Sequence, residues 1–283
     1  VYADHAFIVS EAPGHGLQVF DLTQLRGAAP GSYFSATASY GLFSTAHNIA
    51  INESTGYAYV VGSNSCLGGL HMVDISTPTL PSFAGCYSGD GYTHDVQCVV
   101  YDGPDDEHDG KEICFAANED TLTIIDVSDK TAPVMLSRTS YPAQGYTHQG
   151  WLTDDQAWFL LGDEMDEVTN GFNTRTHIVN LADLDAPDII WSYSGETPAI
   201  DHNLYIVGNY AYEANYTAGL RIIDISEISS GSLCEAAYID VYPDNNTVSY
   251  QGAWSNYPFF DSGTVIVSAM GGLAVVTPQL QGA

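Results

Sequence analysis

Basic residues are scarce in this sequence. Its 283 residues include six Lys and Arg against 35 Asp and Glu, which gives a formal net charge of −29 at pH 7. A surface of this charge repels nucleic acids and anionic membranes, so neither is expected as a partner. It suits cations, basic partners or a saline medium. An acidic surface that serves only solubility is the simple alternative.

Long apolar runs and helical periodicity are also missing. No stretch approaches the ~20 apolar residues of a membrane-spanning helix, and no signal peptide is visible. The chain opens at Val1 in the middle of a repeat pattern, so we expect a processed or truncated product. Because no long window shows a helical period, helix content is predicted to be very low.

Familiar catalytic motifs are absent too. The sequence contains no G-x-S-x-G, no phosphate-binding glycine loop and no H-E-x-x-H. It also lacks C-x-x-C, which disfavours a zinc site built on thiolates. No reaction can therefore be assigned from a local motif.

The five cysteines predict two disulfides. Cys66 and Cys86 flank one strand and its turn, while Cys98 and Cys114 should face each other across adjacent strands. Cys234 is then free or pairs with a segment outside this chain. Together with the disulfides, three glycosylation triplets favour a secreted or cell-surface glycoprotein. These triplets begin at Asn52, Asn215 and Asn245.

One strand pattern recurs six times and usually ends in Asp. The residues before the Asp are β-formers, and the Asp itself is expected to cap the turn that follows. The copies are Gly16–Leu22, Gly69–Ile75, Thr121–Val127, Arg175–Leu181, Gly219–Ile225 and Gly272–Thr277.

Other strands accompany each copy, so that about 50 residues hold four short antiparallel strands. This is typical of a β-propeller, in which blades packed in a ring bury faces that one blade cannot bury alone. The prediction is a single all-β propeller domain over residues 1–283, with six units here and six or seven in the complete ring. The first and last blades are incomplete, and a second chain could complete them by self-association.

A histidine followed by Asn, Asp or Gln opens four of the units. The positions are His47, His94, His148 and His202, and Tyr250 replaces the histidine in a fifth copy. In propellers the opening strand is usually innermost, so the four imidazoles are predicted to face one channel. Neutral imidazoles bind divalent transition metals, here Zn, Cu or Fe.

The residues after these histidines could form a second shell around the metal. They are Asn48, Asp95, Gln149 and Asn203. Their side chains should point away from the histidines, since adjacent strand residues alternate, and could orient the rings or hold water. Tyr250 could close the ring by hydrogen bonding or present its phenol to the site. The alternative is structural: all these side chains fix the register between blades.

An acidic stretch follows one strand and is expected on a loop. Asp163, Glu164, Asp166 and Glu167 offer hard oxygen ligands that suit Ca²⁺, although they do not match the EF-hand pattern. A solvated acidic loop is the alternative. The 19 Tyr and four Trp could form a surface for a carbohydrate, or they could pack between blades.

The repeated strand resembles a known sequence family. Its Leu-x-Val/Ile-Val/Ile-Asp-Ile/Val pattern looks like the LVIVD repeat, and the larger pattern is similar to proteins of the choice-of-anchor B family. The stretches that carry the likeness are Asn118–Leu122, Tyr146–Trp151, Leu161–Glu167, Asp201–Tyr205 and Asn215–Arg221. The resemblance covers essentially the whole chain and implies a secreted or surface-attached propeller, without an established reaction.

Three functional hypotheses follow. The first is an extracytoplasmic binding protein, for a carbohydrate or protein partner, with a metal- or ligand-binding histidine ring. The second is a metal-dependent enzyme, either an oxidoreductase or a polysaccharide lyase or hydrolase, that uses the ring as its centre. The third is a subunit of an extracellular assembly.

Overall fold

Six antiparallel sheets account for the fold. The computed structural model describes residues 1–280, which contain 22 β-strands in six sheets of three or four strands. The predicted all-β propeller of six blades is therefore confirmed. The described residues contain one α-helix, α1, over Asp166–Asn170, so the prediction of very low helix content is also confirmed.

The first three blades belong to one compact unit, here called unit 1, which comprises residues 1–101, 108–118 and 122–138. Blade 1 has three strands: β1 His5–Ile8, β2 Leu17–Asp21 and β3 Ala38–Tyr40. Blade 2 has four: β4 Asn48–Asn52, β5 Tyr57–Val61, β6 Leu70–Asp74 and β7 Ser82–Tyr87. Blade 3 also has four: β8 Asp95–Val100, β9 Glu112–Ala117, β10 Leu122–Asp126 and β11 Val134–Thr139.

The other three blades belong to unit 2, which comprises residues 102–107, 119–121 and 139–283. Blade 4 contains β12 Thr147–Leu152, β13 Trp158–Asp163, β14 Arg175–Asn180 and β15 Asp188–Ser194. Blade 5 contains β16 Leu204–Val207, β17 Tyr210–Ala214, β18 Leu220–Glu227 and β19 Ser232–Ile239. Blade 6 contains β20 Ala253–Tyr257, β21 Val265–Ala269 and β22 Gly272–Val276. The single domain expected over residues 1–283 stays a prediction.

The strands of every blade follow chain order, and each pairs with the next in antiparallel fashion. The opening strand is thus at one edge of its sheet. Within unit 1, β4 packs against β8, and within unit 2, β16 packs against both β12 and β20. The histidines lie at or just before these opening strands. Contact between opening strands of neighbouring blades is therefore what the prediction of neighbouring histidines requires.

The hydrophobic core lies between neighbouring blades. In unit 1, Leu70 and Met72 of blade 2 pack in one cluster with Val96 and Ala116 of blade 3. Strands β6 and β10 are buried on both faces, whereas the outer strands β7 and β15 alternate between more and less exposed positions. This explains why the repeated strand is a continuous apolar run: a neighbouring blade covers each of its faces.

The Asp that ends the repeated strand caps a turn, as predicted. One carboxylate oxygen of Asp21, Asp74, Asp126 and Asp224 accepts the backbone N–H two residues later, at 2.9 Å in each case. Asn180 makes the same bond at 3.0 Å in the fourth copy. The residue type is therefore explained by local turn chemistry.

Both predicted disulfides, Cys66–Cys86 and Cys98–Cys114, are present in unit 1. The Cys234 thiol is unpaired and exposed. Two of the three glycosylation triplets do not suit modification of the folded chain, because Asn52 and Asn215 are buried. Asn245 is exposed. Among residues 1–280 there is no helix of the length and apolarity that a membrane crossing requires.

Candidate functional site

The predicted histidines come together in pairs, one pair in each unit. The ring centroids of His47 and His94 are 4.1 Å apart in unit 1, and those of His148 and His202 are 4.4 Å apart in unit 2. Each pair comes from the opening strands of neighbouring blades, or from the residues just before them. The ring of four histidines stays a prediction.

The unit 1 pair is set among polar groups. His47 Nδ1 lies 2.9 Å from Glu11 Oε1, and the Asn48 amide donates to Asp95 Oδ2 at 2.9 Å. Burial raises the pKa of the Asp95 carboxyl to about 7, although hydrogen bonds from Val96 and Asn48 and the nearby His47 act in the opposite direction. Asn48 and Asp95 therefore join blade 2 to blade 3.

The unit 2 pair shares a carboxylate. His148 Nε2 lies 3.6 Å from Glu164 Oε2, and His202 Nε2 lies 3.8 Å from Glu164 Oε1. Both imidazoles are buried, with 1% and 6% of their side chains exposed. One ligand atom from each of the three residues lies within 4.8 Å of the others. Two imidazoles and one carboxylate form a ligand set that proteins use for zinc and iron.

The His202 ring has a defined tautomer. Its Nδ1 is hydrogen-bonded to the carbonyl oxygen of Trp254, and because a carbonyl can only accept, Nδ1 carries the proton. In the neutral ring, Nε2, which faces Glu164, then has the lone pair. An N–H directed at a backbone carbonyl is the usual way in which proteins orient a metal-binding histidine.

Glu164 is also held in place. The Tyr216 hydroxyl donates to Glu164 Oε1 at 2.6 Å. Burial raises the pKa of Tyr216 well above its usual range, and the hydrogen bond to Glu164 adds to this, so the phenol stays protonated. Tyr216 has a φ of +31°, and a Cβ on Gly252 would lie 2.2 Å from the Tyr216 carbonyl oxygen. Glycine at 252, where φ is +98°, thus permits the close approach of the two backbone segments.

Tyr250, the residue that replaces a histidine, lies beside this group. Its hydroxyl is 2.8 Å from Met165 Sδ, and its ring centroid is 5.3 Å from that of Tyr216. Partial burial raises the pKa of Tyr250, and the carboxylates of Glu164 and Glu167 raise it further. The residue is 44% exposed, so Tyr250 borders the site from the solvent side.

Gln149 and Asn203 bind neighbouring blades. The Gln149 side chain donates to the Leu204 carbonyl and accepts from the Leu204 N–H, both at 2.9 Å. Asn203 Nδ2 lies 3.2 Å from Ser255 Oγ. These bonds match the structural alternative of the sequence analysis, in which the residue after each histidine fixes the register between blades.

The acidic stretch is not a solvated loop. Asp163 ends β13, Asp166 and Glu167 begin α1, and these three side chains are buried. Asp163 accepts hydrogen bonds from the N–H groups of Gly145 and Tyr146 and from the Tyr141 hydroxyl, at 2.5–2.9 Å. It therefore anchors the segment before β12 and has little capacity left for a cation.

Asp166 and Glu167 instead face Asp201, a residue that the sequence analysis did not assign to a site. Oxygens of the three carboxyl groups lie within 4.8 Å of one another. The Arg175 guanidinium pairs with Asp166 Oδ2 at 2.5–2.7 Å. Burial raises the pKa of all three carboxyl groups, and neighbouring carboxylates raise those of Glu167 and Asp201 further. The four predicted calcium ligands are thus divided among three environments.

His177 is a second residue of this region that the sequence did not predict as part of a site. It sits in the fourth copy of the repeated strand, where its neighbours predict only core packing. Its Nδ1 is 2.7 Å from Ser192 Oγ, and one ring nitrogen lies within 4.8 Å of an oxygen of Asp163 and of Asp166. Burial lowers the pKa of His177 to about 4, so the ring is neutral near pH 7.

Six antiparallel sheets of three or four strands, in which opening strands of neighbouring blades are in contact within each unit, are the blades of a β-propeller. The LVIVD repeat family matches residues 45–88, 110–140 and 202–237. The chain therefore contains LVIVD repeats in a β-propeller fold, as the resemblance of the repeated strand suggested.

Solved structures support the fold. A protein from Lactobacillus plantarum is similar with a TM-score of 0.63 at 14% identity, over 97% of this chain and 81% of that one. Hydrazine synthase from Kuenenia stuttgartiensis has a TM-score of 0.63 at 11% identity, over 95% and 71%. A putative 6-phosphogluconolactonase from Bacteroides fragilis has 0.60 at 12%, over 99% and 82%. At these identities the likeness concerns the fold alone. No curated protein matches the sequence significantly.

Proposed function

We propose that this LVIVD-repeat propeller is an extracytoplasmic metal-binding protein that holds a divalent transition-metal ion between His148, His202 and Glu164. The observation that carries the proposal is the approach of two Nε2 atoms to the two oxygens of one carboxylate, at 3.6 and 3.8 Å. Ligand atoms around a tetrahedral zinc ion with bonds of about 2.1 Å are about 3.4 Å apart. Small side-chain movements would therefore bring the three atoms to bonding distance.

The surroundings suit a metal. The His202 tautomer presents a lone pair at Nε2, and Tyr216 orients Glu164, so each has the outer partner that metal ligands usually have. The net charge of −29 raises the local concentration of cations. The two disulfides favour an oxidising compartment. Tyr250 and Trp254, which are 44% and 52% exposed, offer an aromatic border for a carbohydrate or protein partner.

Zinc uptake tests the proposal. Chelator-treated protein is loaded with Zn²⁺, desalted and analysed for metal by mass spectrometry, and about one zinc per chain is expected. His148→Ala should abolish uptake, because it removes a ligand. Glu164→Gln keeps the shape of the side chain and should also prevent retention. Tyr216→Phe keeps the ligands but loses an outer partner, which should weaken binding about 10–100-fold.

Two further histidine variants act as controls. His15→Ala changes a partly exposed histidine of blade 1 and should leave uptake unchanged. His47→Ala separates the three-ligand site from the four-histidine ring, since only the ring requires that imidazole. If His148→Ala and Glu164→Gln both fold, by circular dichroism, and retain zinc as the unmodified chain does, the proposal is wrong.

A further inference from the structure

Three buried carboxyl groups of unit 2 lie together in a second cluster. Asp166 and Glu167 begin α1, and Asp201 lies ahead of β16 in the next blade. The three residues are 0%, 2% and 4% exposed, and one oxygen of each side chain lies within 4.8 Å of the others. Such proximity of buried acids is costly, because like charges repel strongly where water is excluded.

Most of the oxygens in this cluster lack a hydrogen-bond donor. Both oxygens of Glu167, Oδ1 of Asp166 and Oδ1 of Asp201 are buried, and no N–H or hydroxyl group donates to them. The contacts among the carboxyl groups themselves are hydrogen bonds only where the groups share a proton. Their neighbour Asp163 is the opposite case, since backbone N–H groups and a tyrosine hydroxyl bind both of its oxygens. Buried carboxylate oxygens normally have partners, so those that have none indicate a group that would supply them.

A separate polar side chain points the same way. His177 Nε2 is buried and has no hydrogen-bond partner, and the ring belongs to a group with Asp163 and Asp166 whose ligand atoms lie within 4.8 Å. This imidazole comes from β14, not from the acidic stretch itself. The lack of partners thus extends beyond the three carboxyl groups.

The positive charge beside the cluster is also smaller than the negative charge that its three carboxyl groups can carry. Arg175 donates to Oδ2 of Asp166 through Nε and one terminal nitrogen, which compensates one carboxylate of the three. Burial favours the protonated forms of the two that remain, but a bound cation would displace their protons, and the two carboxylates would then carry the charge that one divalent cation neutralises. Ligands that are all oxygen favour a hard cation, and Ca²⁺ is the one that carboxylates at close spacing suit best.

We propose that Asp166, Glu167 and Asp201 form a calcium-binding site that is separate from the His148–His202–Glu164 site. Ca²⁺ occupies the space between the three carboxylates and supplies the contacts that their buried oxygens lack. The site locks α1 of blade 4 to the segment that precedes β16 of blade 5. Gly162 makes room for it, because a Cβ at that position would lie 2.3 Å from Asp201 Oδ2.

A comparison of thermal stability in chelator and in Ca²⁺ tests this site. In chelator, Glu167→Gln should unfold at the same temperature as the unmodified chain or higher, because it removes repulsion among buried acids. In excess Ca²⁺ the order should reverse, because only the unmodified chain gains stability from the bound ion. A residue with a purely structural role would not produce this reversal.

Isothermal titration with CaCl₂ gives the affinity. We expect about one Ca²⁺ per chain, and a dissociation constant at least about tenfold higher for Glu167→Gln and Asp201→Asn. Gly162→Ala keeps every charge but displaces the Asp201 carboxylate, and it should weaken binding as well. Glu53→Gln, which makes the same charge change at an exposed position, should bind as the unmodified chain does.

The proposal is overturned if Ca²⁺ leaves the unfolding temperature of the unmodified chain unchanged. Equal stabilisation of Glu167→Gln and the unmodified chain by Ca²⁺ would overturn it too, since the ion would then bind elsewhere. Zinc uptake is measured separately on the unmodified chain. Failure of the calcium site is therefore distinguishable from failure of the zinc site.

Discussion

At the scale of single residues, the role of a histidine in this propeller depends more on its surroundings than on its residue type. Among the nine histidines, His71 and His177 are buried within blades, whereas His47 is partly exposed beside Glu11. His71 Nε2 is 2.8 Å from the Tyr40 hydroxyl and Nδ1 is 2.7 Å from Ser65 Oγ. The same residue type is thus a neutral core group at one position and a candidate ligand at another.

His71 should make stability depend on pH. Burial lowers its pKa from 6.5 to about 4. Between these values the unfolded chain binds a proton that the folded chain does not, so the contribution of His71 to stability is lost as the pH falls from about 6.5 to 4. The loss should reach about 3 kcal/mol, since one pKa unit is worth about 1.4 kcal/mol.

The test is urea unfolding of His71→Gln across pH 7 to 4. The variant should be less stable at pH 7, because it fits the core less well, but it should lose less stability on acidification than the unmodified chain. His15→Gln, at a partly exposed position, serves as the control and should keep the original slope. An unchanged slope for His71→Gln would contradict the prediction.

At the scale of elements, a buried polar cluster around Glu112, here called the hub, joins blade 2 to blade 3. In unit 1 the buried Glu112 of β9 accepts hydrogen bonds from Asn52, Thr55 and Tyr59 of blade 2, at 2.5–2.8 Å. Its other oxygen pairs with Lys130 Nζ at 2.7 Å. The hub ties the β4–β5 hairpin to blade 3 beside the apolar cluster that the two blades share.

Removal of the Lys130 ammonium group, which is the positive charge of the hub, should destabilise unit 1 strongly. Lys130→Met leaves the Glu112 carboxylate buried without its counter-charge, which typically costs about 3–5 kcal/mol. The double variant Lys130→Met/Glu112→Gln should recover part of this loss, because no charge is then left buried. Chemical denaturation measures both.

Lys111→Met is the matched control for this prediction. Lys111 is 39% exposed and lies 3.6 Å from Asp126, so its loss should cost less than about 1 kcal/mol. Equal losses for the two lysine variants would show that the hub does not depend on its charge pair.

The elements themselves were largely predictable, and the contacts between blades were not. The apolar run that ends in Asp fixed the repeated strand and its turn, because both depend on residues close in sequence. The burial of Asp166 and Glu167 was missed because both lie beside Asp201, which is distant in sequence. In addition, α1 has only five residues, which is too short to show a helical period. The bond from Tyr216 to Glu164 joins residues 52 positions apart, and no local pattern announces it.

At the scale of the whole molecule, the large negative net charge has the clearest consequence for stability. A net charge of −29 on 283 residues means that folding brings many carboxylates close together. This repulsion opposes the compact state, and dissolved salt weakens it. Composition alone was sufficient to predict this property, because it depends on the count of charges and not on their positions.

Salt should therefore stabilise the protein. We expect the midpoint of thermal unfolding to rise between 10 mM and 0.5 M NaCl, as the screening length falls from about 30 Å to a few Å. Each kcal/mol gained should raise the midpoint by about 2–4 °C. Calorimetry in chelator, with choline chloride in place of NaCl as the control, separates screening from the binding of a particular cation. A midpoint that stays constant or falls would contradict the prediction.

The unpaired thiol of Cys234 gives this chain a natural attachment point for a probe. The other four cysteines are oxidised, so a thiol-reactive spin label should modify β19 alone without any engineered residue. Copper, which is paramagnetic as Cu²⁺, would shorten the relaxation times of such a label if it binds at the proposed His148–His202–Glu164 site. A native cysteine thus provides a spectroscopic gauge of how far a bound ion lies from a known strand.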